Sequence, residues 1–249
     1  MSIPELQGPI IKVRIRGPKA VFCGPKKDEP VSYPAPTPSA ARGIVEAIFW
    51  KPAIFWHVRK IHILRPIRWF EVRVNEVKSR IQEVRALRQL TEKEPGKKIV
   101  DPRIVIEEER DQRHILGLKD VDYVFEIQFS FTDRRSPDEP AKKFEDMFVR
   151  RMNQGQCHFN PYMGRRDYPA VFEPAPESWS PPEELAGKTV NLGMMLLDQR
   201  YNGVSASPDF FEAEIKNGVL VEAGKDCLPF YSCQGRFDAQ PARGSLQLR

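Results

Sequence analysis

The chain has 249 residues, of which 29% are charged and 41% hydrophobic, and its formal net charge is +5. This length can hold one large domain or two modest ones with a substantial core. No apolar run of about 18 residues is present, and the N-terminus lacks the charged-then-apolar layout of a secretory signal, so we expect no membrane association. The four cysteines show no C-x-x-C spacing. We therefore expect a reduced cytoplasmic protein without a metal or other cofactor.

Basic residues are concentrated in the first third of the chain. Residues 1–80 carry 15 Lys and Arg against 6 Asp and Glu, whereas the remainder carries 24 against 28. A concentrated basic surface attracts polyanions, because binding releases their condensed counterions. Charge alone is equally compatible with a solvated surface.

A cationic strand is predicted near the N-terminus. In Ile10–Arg16, isoleucine and valine alternate with Lys12, Arg14 and Arg16, which is the period-two pattern of a strand with one apolar and one polar face. The three cations therefore share one face, where we expect them to contact RNA.

An amphipathic helix follows this strand. Thr37 can cap it, Pro38 suits its first turn, and apolar residues recur at helical spacing until Lys51-Pro52 ends the run. Taken alone, the segment is either a buried helix or a helix that faces RNA. The basic strands on both sides favour the second interpretation, with Arg42 and Lys51 as RNA contacts.

Two strands and a charged insertion come next. Ile54–Leu64 is typical of a strand with a bulge near Arg59, where the alternation changes phase, and Trp69–Val74 predicts another strand. Val77–Leu118 is rich in Glu, Lys and Arg and poor in aromatic residues. We expect a mobile insertion, either a long hairpin or a partly disordered segment.

The elements after the insertion complete a known order. Tyr123–Phe131 alternates between apolar and polar residues, Pro140–Gln154 has an apolar stripe at helical spacing, and Tyr168–Glu173 predicts a short strand. The order strand, helix, strand, strand, helix, strand is that of a ferredoxin-like fold, which is also the plan of the RNA recognition motif.

A linker and a second domain are predicted towards the C-terminus. Pro174–Pro182 is rich in Pro and Glu, and Asn217-Gly218 between two apolar runs predicts a hairpin turn. We therefore predict an α+β chain. A ferredoxin-like domain at 1–176 carries the charged insertion at about 77–118, and a small antiparallel β domain with a loose tail occupies 177–249.

Two adjacent lysines are candidates for phosphate chemistry. Lys142 and Lys143 lie in the first turn of the second long helix, where exposed N–H groups attract anions. The helix dipole and mutual repulsion are expected to lower the pKa of one lysine towards a proton-transfer role. A solvated helix start is the alternative.

The loop Gly155–Pro169 is a candidate contact for single-stranded RNA. It interleaves aromatic residues with His158, Arg165 and Arg166 and contains two glycines. Aromatic rings stack on bases and arginines bind phosphates. A plain surface loop is the alternative.

Seven segments, taken in order, carry a specific resemblance. They are Pro38–Ile54, His62–Ile67, Arg73–Val77, Asp120–Tyr123, Met147–Arg151, Gly164–Ala170 and Leu192–Asp198. Together they resemble the type I-C (Dvulg subtype) CRISPR-associated Cas-five proteins, and the likeness runs from about Ile10 to Val221.

The resemblance implies a RAMP-superfamily protein with a ferredoxin-like domain and a small C-terminal sheet. Members of this subtype cut the CRISPR precursor transcript (pre-crRNA) at the base of each repeat hairpin without metal. They then stay on the 5′ handle of the guide RNA (crRNA) as a subunit of the Cascade complex, beside its backbone and large subunits, in antiviral defence. The implied chemistry is attack of a ribose 2′-OH on the adjacent phosphate, which needs a base, a cation and an acid.

The catalytic positions match the family only in part. The resemblance assigns catalysis to a tyrosine or histidine in the first helix and to a Lys-His pair that opens the second, and Phe49, Lys142 and Lys143 stand at these positions. A phenyl ring transfers no proton, and lysine does so near neutral pH only when its pKa is depressed. His57 and His158 are the nearest substitute imidazoles. Two functions stay open, a metal-independent endoribonuclease and a non-catalytic binder of the crRNA handle, with a generic RNA-binding module as a third.

Overall fold

A computed structural model describes residues 5–24, 30–77, 106–201 and 206–229. The strands are β1 (Leu6–Ala20), β2 (Ile54–Ile63), β3 (Trp69–Val77), β4 (Arg110–Phe131), β5 (Val171–Pro174), β6 (Thr189–Tyr201), β7 (Ala206–Lys216) and β8 (Val219–Glu222). The helices are α1 (Pro38–Ile48), α2 (Ile106–Glu109) and α3 (Ala141–Gln154). In these residues, no helix is long and apolar enough to cross a membrane.

Four strands and two helices form the predicted ferredoxin-like unit. The strands lie in the order β5-β1-β4-β2, with α1 between β1 and β2 and α3 between β4 and β5. Apolar residues of β1 and β4, such as Val13 and Phe125, are fully buried and pack with Val45 of α1 and Phe148 of α3. The core forms here because the period-two stripe of each strand and the helical stripe of each helix face the same layer. The predicted fold class is confirmed.

Local sequence signals position the ends of these elements as expected. The Thr37 hydroxyl accepts a hydrogen bond from the Ala40 N–H at 3.1 Å, so the predicted cap of α1 is confirmed. α3 ends at Gly155, which adopts a left-handed conformation with φ of 64°. The register of β2 against β4 shifts around Arg59, which confirms the predicted bulge.

The last strand of this unit begins at Val171, three residues later than predicted. Tyr168 belongs instead to a tight loop, in which its N–H donates to the Arg165 carbonyl at 3.0 Å. Gly164 in the same loop has φ of 81°, and a Cβ there would lie 1.9 Å from the Val21 carbonyl oxygen. The loop approaches the end of β1 so closely that only glycine fits.

The predicted insertion is in part a hairpin. Residues 110–118, the first part of β4, pair with β3 over its full length. For these residues, the hairpin alternative of the prediction is therefore confirmed. Residues 78–105, the centre of the predicted insertion, lie outside the described residues.

The C-terminal strands extend the same sheet. β6, β7 and β8 form an antiparallel meander, and β8 pairs with β2 at His62 and Val219. Asn217 and Gly218 join β7 to β8 with φ of 50° and 76°, which confirms the predicted hairpin turn. The boundary between two domains stays a prediction, and the tail after Cys233 lies outside the described residues.

Candidate nucleic-acid interface and active site

The outer face of the sheet, opposite the helices, carries the predicted row of cations. Arg14 donates to both carboxylate oxygens of Asp122, at 2.9 and 2.7 Å, and to Glu173 at 3.0 Å. Arg16 lies 3.5 Å from the same Glu173. Both arginines are therefore paired with carboxylates from neighbouring strands. Their contact with RNA stays a prediction.

The predicted linker packs on this outer face. Trp179 lies with its ring centroid 5.1 Å from the Lys12 ammonium and 5.2 Å from the His62 ring. The Nε2 atom of His62 is 2.9 Å from a Glu126 carboxylate oxygen. Burial lowers the pKa of His62, although Glu126 opposes this effect. The linker thus covers part of the face on which an RNA recognition motif stacks bases.

Arg42, predicted to contact RNA, lies inside the protein. The residue is 4% exposed, its guanidinium forms an ion pair with Asp198 of β6, and Nε lies 3.5 Å from Glu46. It also lies 5.0 Å from the ring centroid of Phe55. The predicted surface role of Arg42 is wrong, because a carboxylate from β6 balances its charge in the core.

The C-terminal end of α1 meets the loop that follows α3. The backbone N–H groups of His158 and Phe159 both donate to the Ala47 carbonyl, at 2.8 and 3.1 Å. Arg151 of α3 donates to the Ile48 carbonyl at 2.8 Å. The last carbonyls of a helix lack intrahelical donors. These three donors satisfy the carbonyls of Ala47 and Ile48, and the two backbone donors fix the loop against the end of α1.

At the C-terminal end of α1, Phe49 is buried and the next residue, Trp50, is exposed. Phe49 is 0% exposed, its carbonyl accepts a hydrogen bond from Trp56 at 2.8 Å, and its ring lies 5.3 Å from the Arg151 guanidinium. Trp50, by contrast, is 45% exposed. Phe49 is therefore a packing residue and not the predicted catalytic one, because its ring is buried and carries no transferable proton.

Exposed aromatic and basic residues lie at the C-terminal end of α1 and along the loop that follows α3. Besides Trp50, Phe159 is 68% exposed and Tyr162 is also exposed. Lys51 and Arg166 are exposed, and within the described residues neither forms an ion pair. Sequence patterns did not single out Trp50 or Arg151 as site residues.

A cleft of about 610 Å³ opens at the other end of α1. Its lining includes Ser39 of α1, Tyr162 and Arg165 of the loop, and Arg113 of β4. Arg165 and Arg113 share Glu76, at 2.9 and 3.4 Å. The loop therefore follows α1 from end to end, over roughly 16 Å. In the described part of the chain, no three His, Cys, Asp or Glu side chains are grouped to hold a metal ion.

Lys142 and Lys143 are exposed at the start of α3 and are paired with acidic residues. The Lys142 ammonium lies 3.1 Å from Asp146 and 3.2 Å from Glu145, and the Lys143 ammonium lies 2.7 Å from Glu139. Hydrogen bonds to Asp146 and then Glu145 raise the pKa of Lys142. The lowered pKa expected for one of the two lysines is therefore not found at Lys142, because Asp146 and Glu145 stabilise its charged form. A protonated Lys142 is a cation and a proton donor.

The two substitute imidazoles differ in accessibility. His57 is 4% exposed, and its Nε2 lies 2.8 Å from the Ser130 hydroxyl. Burial lowers the pKa of His57 to about 4, and the charges of Arg42 and Arg59 add to the lowering. His57 is a neutral core residue at physiological pH. His158 is exposed beside the end of α1.

Comparison with known proteins confirms the family resemblance. A family model described as CRISPR-associated protein (Cas_Cas5) matches residues 10–220. A relative from Mannheimia succiniciproducens is 41% identical over 229 residues, 89% of this chain and 96% of the relative, and is named CRISPR pre-crRNA endoribonuclease Cas5d. A relative of the same name from Thermus thermophilus is 40% identical over 229 residues, covering 84% and 90% of the two chains. A solved structure of a CRISPR-associated protein shares the fold, with a TM-score of 0.63 at 20% identity over 91% of this chain and 97% of that one. The chain belongs to the Cas5 family of CRISPR-associated proteins.

Proposed function

We propose that this protein is an endoribonuclease that cuts pre-crRNA at the repeat hairpin. It then stays on the crRNA 5′ handle as a Cascade subunit, in contact with the backbone and large subunits, and acts in the cytoplasm. The observation that carries the proposal is the 41% identity to a relative named a CRISPR pre-crRNA endoribonuclease, 96% of which is covered.

The surface along α1 supports RNA binding. Exposed rings such as Trp50 and Phe159 offer faces for bases, and Lys51 and Arg166 offer charge for phosphates. The Gly155–Pro169 loop connects this end of α1 to the cleft at the other end. An extended strand of RNA that follows the loop would meet aromatic and basic residues over its whole length.

The proposed reaction is metal-independent. The ribose 2′ oxygen attacks the adjacent phosphorus, the bond from phosphorus to the 5′ oxygen breaks, and the products are a 2′,3′-cyclic phosphate and a 5′-OH. Lys142 and Lys143 stand where helix N–H groups and ammonium groups together favour a phosphate. Lys142 supplies the cation that stabilises the pentavalent phosphorus.

A non-catalytic binder of the crRNA handle is the second candidate. One observation favours it: the buried ring of Phe49 stands where the resemblance implies a proton-transfer residue. Binding needs only the exposed aromatic and basic residues along α1, whereas cleavage also needs a base and an acid.

The deciding experiment is incubation of the purified protein with its cognate repeat RNA in EDTA. Cleavage to a 2′,3′-cyclic phosphate and a 5′-OH supports the endoribonuclease, and a matched RNA with 2′-deoxyribose at the scissile nucleotide should stay intact. Bound but uncut RNA supports the second candidate. RNA that is neither bound nor cut contradicts both.

A matched pair of lysine variants tests the role of Lys142. Lys142 and Lys225 are similarly exposed, and each pairs with a glutamate three residues away, at 3.2 and 2.9 Å. Lys142→Ala should lower the cleavage rate roughly 10²–10³-fold while RNA binding persists. Lys225→Ala should cleave like the wild type. Equal rates for the two variants would remove Lys142 from the active site.

A further inference from the structure

Three of the four histidines in the chain are already engaged within the fold. His57 is buried in the core. His62 is 2.9 Å from Glu126 on the outer face of the sheet, and His114 is 3.1 Å from Glu71 on the hairpin of β3 and β4. These three imidazoles lie away from the surface along α1 or have a carboxylate partner.

His158 is the fourth histidine, and its ring is accessible. Its backbone N–H is fixed to the Ala47 carbonyl at 2.8 Å, whereas its side chain is exposed. Its ring packs edge-on against Phe159 with centroids 4.3 Å apart, and no hydrogen bond or ion pair within the described residues occupies its nitrogens. The residue is thus held in place by its backbone and leaves both ring nitrogens to a ligand.

The other polar groups near α1 and α3 leave one catalytic role unfilled. Lys142, Lys143 and Arg151 are cations, which donate protons or stabilise negative charge but do not accept protons in that state. Phe49 has no proton to exchange. Cleavage through a 2′-OH also needs a proton acceptor, and imidazole is the side chain best suited to that role near neutral pH.

We propose that His158 is the general base of the cleavage reaction, an inference that rests on the proposed function. The neutral imidazole takes the proton of the ribose 2′-OH while the 2′ oxygen bonds to phosphorus. The 5′ oxygen leaves with a proton from a lysine ammonium. The rings of Phe159 and Trp50 supply the faces on which the nucleobase next to the scissile phosphate stacks.

The test compares His158→Ala and His158→Gln with His114→Ala, which removes an exposed imidazole that is paired with Glu71 on the hairpin of β3 and β4. Cleavage is measured at saturating repeat RNA, and Kd is measured separately on RNA with 2′-deoxyribose at the scissile nucleotide. The His158 variants should cut roughly 10²–10⁴-fold more slowly with unchanged Kd, whereas His114→Ala should match the wild type. Free imidazole should restore part of the activity of His158→Ala, which a structural role would not allow.

An RNA substrate with sulfur in place of the bridging 5′ oxygen distinguishes a general-base role of His158 from a general-acid role. A thiolate leaves without protonation, so a defect caused by a missing acid would disappear on this RNA, whereas the defect of His158→Ala should persist. Full-rate cleavage by His158→Ala overturns only the inference, as does weaker binding with an unchanged rate at saturation. A wild-type protein that binds repeat RNA and leaves it intact overturns the proposed cleavage and this role with it.

Discussion

The cations that the sequence offers to RNA lie in two contrasting environments. On the outer face of the sheet, Arg14 and Arg16 are paired with Asp122 and Glu173. These carboxylates lie 108 and 159 residues away from Arg14 in the chain and are brought opposite β1 by the register of the sheet. A row of cations in the sequence therefore reports the charge of one strand, not of the face that contains it.

Lys51, after the end of α1, and Arg166, in the loop beside α1, have no such carboxylate partners among the described residues. Lys51 and Arg166 are exposed and form no ion pair within the described residues. The aromatic residues divide in the same way, because Trp179 is half-buried against Lys12 and His62 while Trp50 and Phe159 reach solvent. On the helix side of this ferredoxin-like unit, Lys51 and Arg166 therefore form no ion pair within the described residues, whereas Arg14 and Arg16 on the sheet face do.

Removal of a balancing carboxylate should produce the largest effect. Asp198→Ala leaves the guanidinium of Arg42 buried without its main counter-charge, which should lower the free energy of unfolding by about 3–5 kcal/mol. Asp226→Ala is the control, because its pair with Lys216 is fully exposed to solvent and should contribute little to stability. Urea unfolding measures both. An Asp198→Ala protein as stable as the control would mean that water reaches Arg42.

The buried imidazole of His57 should make the stability of the protein depend on pH. The pKa of His57 is lowered from 6.5 to about 4 in the folded state, so the unfolded chain binds the proton first as pH falls. Stability should therefore be lost from about pH 6.5 down to about pH 4, by roughly 3 kcal/mol from this group.

Comparison with His57→Gln isolates this contribution from that of other titrating groups. The stability of the wild type relative to His57→Gln should fall as pH decreases through the same window. The measurement is the urea midpoint of both proteins at several pH values. If the difference in stability between the wild type and His57→Gln stays constant across this pH window, His57 is not held in its neutral form by the core.

Loss of one exposed aromatic ring should weaken RNA binding, by less free energy than Asp198→Ala removes from folding. Stacking of one base on an aromatic ring contributes roughly 1–3 kcal/mol, so Trp50→Ala and Phe159→Ala should each raise Kd for repeat RNA about 5- to 150-fold. Trp69→Ala is the matched control, because Trp69 is 41% exposed on β3, close to the 45% of Trp50. Fluorescence anisotropy with uncleavable RNA measures all three. Equal Kd values for Trp50→Ala and Trp69→Ala would show that the exposed ring at the end of α1 binds RNA no better than an exposed ring on β3.

The sequence predicted the features that depend on neighbouring residues. The Thr37 cap and the Asn217-Gly218 turn follow from local backbone requirements, and both occur where expected. The environments of Arg42 and Lys142 were not predicted correctly. Arg42 is buried because Asp198, on a distant strand, balances its charge, and the pKa of Lys142 rises because Asp146 and Glu145 on α3 hydrogen-bond to its ammonium. Charge balance depends on packing and rotamers, which residue periodicity does not determine.

The smallest expected effect is the most direct test of the two surfaces. Each phosphate contact with a single strand contributes about −0.7 to the slope of log affinity against log salt. Lys51→Gln combined with Arg166→Gln should therefore reduce the steepness of that slope by about 1.4 if both residues contact phosphates.

Lys12→Gln combined with Arg16→Gln is the matched variant on the outer face of the sheet. It also removes two cations, but Arg16 is paired with Glu173 and Lys12 lies against Trp179. These interactions already occupy both groups, so the slope should stay close to that of the wild type. A slope that flattens as much for the sheet variant as for the α1 variant would show that RNA displaces the intramolecular partners. The cation row of β1 would then be an RNA contact, as its sequence predicts.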